Sequence, residues 1–205
     1  MTMKPPDSGS GGTQEYGCNS APSTEGSTTQ QKDADGFWNV YQGSFGGGTK
    51  GRFLSPTYTY TRLNWKPIFE TTVKTGSDIS SVRTWCGLFS ATPFGSATPA
   101  ISYVAFRYDT GSDGTAFWRT VSDNGSGSPT VTTTSTAIAV STKYSMRIEV
   151  VSTSSVEFYI NDVLAATHSA TLPAGATDLG FEMGVNPLAG TKQFWVNHAI
   201  IMQMR

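Results

Sequence analysis

The sequence predicts an all-β protein, an antiparallel β-sandwich with an extended N-terminal arm. Two observations carry the prediction. The strong apolar patterns have a period of two and no stretch has a convincing helical period. The apolar segments are many, evenly spaced and separated by Gly, Pro and Asn, as in two packed antiparallel sheets.

One stretch shows the logic most clearly. In 155–168, SVEFYINDVLAATH, Val156, Phe158 and Ile160 alternate with Glu157 and Tyr159, and the pattern resumes after Asn161 and Asp162. Asn and Asp are the non-glycine residues that best tolerate the left-handed backbone of a tight turn, so the stretch reads as a β-hairpin.

Residues 1–36 are dominated by Ser, Thr, Gly, Pro and Gln, with almost no large apolar side chain beyond Tyr16. Such a segment cannot bury enough surface to fold alone and reads as an arm, with any order depending on a surface to lie on. The character changes at Phe37-Trp38-Asn39-Val40-Tyr41, which places the start of the folded domain, 37–205. Strands are expected at 50–54, 58–62, 65–75, 79–90, 101–110, 115–122, 130–140, 144–151, then the hairpin, 179–185 and 193–204.

Alternation also assigns faces. Tyr144, Met146, Ile148 and Val150 share one side, with Arg147 and Glu149 opposite. Leu179, Phe181, Met183 and Val185 alternate with Gly180, Glu182, Gly184 and Asn186. In the last strand Phe194, Val196, Ile200 and Met202 are expected on one side, with Trp195 and Asn197 on the other.

Charged residues make up 14% of the chain, against about 25% in an average globular protein. Solubility therefore rests on Ser, Thr, Asn and Gly, a surface suited to packing in an assembly or to contact with sugars. The formal net charge of -1 and the lack of a basic stripe argue against a nucleic-acid partner, which needs clustered Lys and Arg. No apolar run is long enough to span a bilayer, and Met1-Thr2-Met3-Lys4-Pro5-Pro6 lacks the apolar core of a signal peptide, so neither a membrane partner nor classical secretion is expected. Cys18 and Cys86 read as two free thiols. The sequon Asn124-Gly125-Ser126 reads as a turn.

Several motifs invite chemistry and lose it on inspection. Gly43-Ser44-Phe45-Gly46-Gly47-Gly48-Thr49-Lys50 approaches a phosphate-binding loop, but Thr and Lys are in the wrong order and no helix follows, leaving a glycine-rich hairpin loop. Asp109-Thr110-Gly111-Ser112-Asp113-Gly114 approaches a calcium loop, but its third position is Gly and Thr120 stands where the bidentate Glu should fall, so a turn explains it. No Glu-x-Asp-x-(x)-Glu run offers paired carboxylates, and Glu149, Glu157 and Glu182 read as lone acids on separate strands. His168 and His198 are isolated, which leaves no triad or zinc site. These readings predict no enzymatic activity, no catalytic residues, no metal and no cofactor.

The order of segments carries a resemblance. Phe106-Arg107-Tyr108-Asp109, Thr115-Ala116-Phe117-Trp118-Arg119, Val121-Ser122-Asp123-Asn124-Gly125, Thr136-Ala137-Ile138-Ala139-Val140, the run from Tyr144 to Val150 and the hairpin resemble concanavalin-like lectin/glucanase domains, relatives of the laminin-G jelly rolls. The group resembled is the one common in tailed-phage virion proteins, and the likeness spans residues 103–205. It implies a jelly roll and leaves a calcium site open.

It also implies a non-enzymatic structural protein of a virion, in capsid or tail, held to the other virion subunits by the arm and oligomeric with its own copies. The alternative is a lectin-like module binding cell-surface glycans. For that alternative Arg107, Glu157, Tyr159, Trp195 and Asn197 are the candidate carbohydrate-binding residues. They have outward parity, and aromatic planes stack on sugar rings while amides and charges read hydroxyls. The same side chains would also serve packing between sheets or against a neighbouring subunit.

Overall fold

The computed structural model describes residues 60–114, 116–190 and 192–203, together with the backbone of 38–43 and 51–54. The arm 1–36, the domain boundary at 37 and the glycine-rich stretch 43–50, apart from the backbone of Gly43, lie outside the described residues.

The strands are β1 Trp38–Gly43, β2 Gly51–Leu54, β3 Ile68–Thr75, β4 Val82–Phe89, β5 Ser102–Asp109, β6 Phe117–Asn124, β7 Thr130–Ala137, β8 Lys143–Ser152, β9 Ser155–Ile160, β10 Val163–His168, β11 Gly180–Pro187 and β12 Lys192–Met202. They form two six-stranded antiparallel sheets. The first runs β1-β12-β3-β8-β9-β10 and the second β2-β11-β4-β5-β6-β7. The all-β sandwich expected from the sequence is the fold observed.

The period-two patterns become the two walls of one core. Phe69 and Val73 on β3, Met146 and Ile148 on β8, and Val156, Phe158 and Ile160 on β9 face Cys86, Leu88, Val104, Phe106, Phe181 and Met183 of the other sheet. Phe106 and Phe158 meet edge to face across the interior with ring centroids 5.5 Å apart, and Trp118 meets Tyr144 in the same way at 5.5 Å. Tyr144 keeps its hydroxyl satisfied in this apolar layer, accepting from Ala139 N at 2.8 Å and donating to Ala137 O at 3.1 Å. Gly87, in the centre of β4, is a glycine by necessity: a Cβ there would lie 2.4 Å from Val104 O on β5.

The hairpin forms as expected. Asn161 and Asp162 have φ of 52° and 63°, both left-handed, as a type I′ turn requires. Asn161 contributes a further tie: its backbone N donates to Ser145 O at 2.8 Å and its Oδ1 accepts from Ser145 N at 3.0 Å. The turn is thereby bonded to β8 as well as to its own hairpin.

Two expectations fail for local reasons. The strand placed at 58–62 reduces, among its described residues, to a single bridge between Thr61 and Leu179. The chain then turns through a 3-10 segment, Leu63–Trp65, closed by Lys66 at φ 47°. In β12 the pairing with β3 shifts between Val196 and His198, a bulge at Asn197. A bulge adds one residue and reverses the parity beyond it. Ala199 and Ile201 therefore pack on the core, while Ile200 and Met202, expected beside Phe194 and Val196, take outward parity.

Candidate functional site

Each sheet has an outer face, and the two differ. On the second sheet Trp85, Phe89, Tyr103, Ala105 and Val121 form an outward aromatic layer, and segment 90–101 crosses it with Phe94 buried against it. Asn186 Nδ2 donates to Phe94 O at 2.8 Å and holds the segment down. Arg107 belongs to this layer. It is 3% exposed, its Nε donates to Asp113 Oδ2 at 2.6 Å, a second nitrogen meets Asp113 Oδ1 and a third donates to Ala97 O. Its guanidinium lies 5.5 Å from the Trp85 ring centroid. Arg107 fastens a loop on the second sheet, whereas the other four candidate sugar-binding residues lie on the first.

The turn once compared with a calcium loop is also occupied by protein groups. Asp109 Oδ2 accepts from Arg83 Nε at 2.5 Å and Oδ1 from Gly111 N at 2.9 Å, while Asp113 holds Arg107. Among the described residues no cluster of three metal-ligating side chains is present.

The outer face of the first sheet is partly exposed and carries polar side chains in rows set by strand register. One row reads Ile200, Glu70, Arg147, Tyr159 and Leu164 across β12, β3, β8, β9 and β10. The next reads Met202, Ile68, Glu149, Glu157 and Thr167. Toward the other end His198 pairs with Thr72, and Trp195 pairs with Lys74, which faces Lys143. With strands about 4.8 Å apart and a rise of about 3.3 Å per residue, Trp195 and Tyr159, three strand spacings and four residues of register apart, are separated by roughly 20 Å on the sheet, a span for several sugar units.

The centre of this face is a bonded network. The Arg147 guanidinium lies 3.8 Å above the Tyr159 ring centroid, a cation–π contact, and pairs with Glu149 Oε2. Tyr159 donates its hydroxyl to Glu157 Oε2 at 2.5 Å. That bond, with some burial and the charge of Glu157, raises the Tyr159 pKa above the ordinary phenol value. The Asn197 bulge turns the chain so that His198 Nδ1 meets Asn197 Oδ1 at 3.0 Å, and Thr71 Oγ1 donates to His198 O at 2.5 Å. Burial lowers the His198 pKa against the opposing charge of Glu70. The face thus offers an indole, a phenol held in place, a guanidinium, carboxylates and an imidazole on one rigid sheet.

Glu149 and Glu157, read from sequence as lone acids, are direct cross-strand partners on β8 and β9. Sequence reading also missed Glu70, Arg147 and His198 as members of the face. Their outward parity was the available signal, and the strand order that assembles them was not.

No protein-family model matches the chain, and no curated protein sequence matches it. Solved structures do. An alginate lyase from Pseudomonas aeruginosa superposes with a TM-score of 0.62 at 12% identity, over 87% of this chain and 87% of that one. The β-glucanase of Bacillus licheniformis gives 0.59 at 12% identity, over 93% and 86%. A carbohydrate-binding module from Bacillus subtilis gives 0.50 at 12% identity, over 82% and 96%. The fold is the concanavalin-like jelly roll. At such identities the likeness speaks for fold alone.

It nevertheless corrects the expectation of a non-enzymatic protein, because the fold is one that carbohydrate-active enzymes share. The structures that share this architecture include alginate lyases and glycoside hydrolases. The absence of a Glu-x-Asp-x-Glu run was the ground for that expectation, and cross-strand register supplies a carboxylate pair that a scan along one strand cannot see.

Proposed function

We propose that this chain is a carbohydrate-binding domain whose ligand lies along the outer face of the first sheet. The row Glu70-Arg147-Tyr159, flanked by Glu149 and Glu157, is the observation that carries the reading. It concentrates fixed hydrogen-bonding groups and an aromatic ring on a partly exposed sheet, while segment 90–101 covers the opposite face. In this reading Trp195 supplies a stacking plane, and Arg147, Glu149 and Glu157 read hydroxyls. Tyr159 is held by Arg147 on one side and Glu157 at its tip. Solved structures of the same fold that bind or cleave carbohydrates support it. Affinity electrophoresis through alginate and through mixed-linkage β-glucan tests it, with retardation expected in at least one and loss of retardation in Arg147→Ala.

Cleavage of the bound glycan is a second reading, favoured by the Glu149–Glu157 juxtaposition. Directly opposed residues have Cβ atoms about 4.5–5.5 Å apart, which brings the two side chains within reach of one bond, as a pair of acting carboxylates requires. New chain ends released by the full-length protein, and absent with Glu157→Gln, would support it. Release unchanged by that substitution would remove Glu157 from the reaction.

A role in a virion, with the arm as anchor to capsid or tail subunits and with self-association, is supported by the resemblance of residues 103–205 to phage virion domains. Incorporation of full-length and arm-deleted chains into particles tests that role.

A further inference from the structure

The turn between β6 and β7 holds the chain's single Asn-Gly pair, Asn124-Gly125. We propose that Asn124 is a self-modification site, converting through a cyclic imide to aspartate and isoaspartate, with Asp123 as the internal base. The reaction needs the backbone nitrogen of the following residue to attack the side-chain carbonyl carbon. A proton must leave that nitrogen, and negative charge must be accommodated on the carbonyl oxygen.

The turn provides for both. Gly125 N donates to Asp123 Oδ1 at 2.7 Å, which places a carboxylate on the proton that has to leave. Ser126 N, bonded to Asp123 Oδ1 at 2.7 Å, is shared with Asn124 Oδ1 at 3.2 Å, so a backbone donor also reaches the oxygen that gains charge and the side chain is folded over the following peptide. Asp123 is fully buried; its Oδ1 also accepts from Ser126 N, Ser126 Oγ and Gly127 N, and among the described residues its Oδ2 has no hydrogen-bond partner, which leaves Oδ2 as the oxygen open to a proton. Gly125 has φ of 102°, and without a Cβ it leaves the approach to its nitrogen open. Asn124 itself is exposed, so water reaches the imide.

The atoms balance. The Gly125 nitrogen forms a bond to Asn124 Cγ as its proton passes to Asp123. The Cγ–NH2 bond then breaks, the proton returns to the leaving group and ammonia departs. Water adds to either carbonyl of the imide and opens it to a carboxylate. An uncharged exposed side chain becomes an anion beside Asp123, and in the isoaspartate product the backbone lengthens by one carbon at the end of β6.

The test compares the full-length protein with a synthetic peptide of residues 119–131, incubated together near neutral pH and analysed by peptide mapping for aspartate and isoaspartate at position 124. The folded chain is expected to convert at least about tenfold faster than the peptide. Its rate should be nearly constant between about pH 6 and 8, whereas the peptide, which depends on hydroxide, speeds up about tenfold per pH unit. Asp123→Asn should bring the folded rate down to that of the peptide. If that variant fails to fold, the pH profile of the unaltered protein decides alone. A folded chain that converts no faster than the peptide, or whose rate climbs with hydroxide, overturns the proposal.

Discussion

Glu149 on β8 and Glu157 on β9 stand directly opposite each other, and each carboxylate is turned to a different partner, Arg147 for one and Tyr159 for the other. Like charges opposed across a sheet are destabilising, so the pair is not explained by stability. Neutralising one of them in Glu157→Gln should stabilise the free protein by about 0.2–1 kcal/mol, since the amide oxygen can still accept the Tyr159 hydroxyl. Urea unfolding at neutral pH measures it. A loss of stability would show that the Glu157 charge is needed to hold Tyr159.

His168 gives the sandwich an acid-sensitive seam. It is buried, with Nε2 at 2.9 Å from Thr120 Oγ1 and 3.1 Å from Thr132 Oγ1, and Nδ1 at 2.9 Å from Ser122 Oγ. It joins β10 of one sheet to β6 and β7 of the other, and burial lowers its pKa to about 4. The unfolded chain takes up a proton near pH 6.5, so it binds more protons than the folded chain between about pH 6.5 and 4. Stability is present above that window and falls as pH drops through it, by up to about 3 kcal/mol. Denaturation curves at neutral pH and near pH 4 should differ by less in His168→Gln than in the unaltered protein. Equal pH dependence in the two would contradict the assignment.

The hairpin turn makes opposite predictions for its two residues. Asp162, at φ 63°, makes the turn with a side chain in the left-handed region, and Asp162→Gly should stabilise by about 0.4–1 kcal/mol. Asn161→Ala should cost about 1–2 kcal/mol, because it removes the bond from Ser145 N and leaves alanine at φ 52°. Thermal unfolding of the two variants checks both signs.

Gly87→Ala should be severe, costing several kcal/mol, because its Cβ would meet Val104 O and the Ala105 backbone in the middle of the second sheet. Loss of cooperative unfolding, or a markedly lower midpoint, is the expected result.

The fold was legible because period two and turn residues are local properties. Val156, Phe158 and Ile160 reveal their face without knowledge of any neighbour, and Asn161-Asp162 reveals the turn. The site was only partly legible. Parity placed Tyr159, Glu157, Trp195 and Asn197 on an outward face, but parity gives a side of a strand without giving the sheet, so Arg107 was grouped with residues on the other sheet. Arg147 and Glu149 had been assigned outward, yet only the β8-β9 register brings them beside Tyr159 and Glu157. The bulge at Asn197 has no clear sequence mark, and it alone decides that Ile200 and Met202 take outward parity.

The proposal that the outer face of the first sheet binds carbohydrate is tested most directly by affinity electrophoresis through alginate and mixed-linkage β-glucan, with Tyr159→Ala and Trp195→Ala beside the unaltered protein. Retardation by at least one polysaccharide is predicted, weakened at least about tenfold in each variant, or about 1.4 kcal/mol, while circular dichroism shows the sandwich intact. Retardation by neither polysaccharide, or retardation that both variants retain in full, would contradict it.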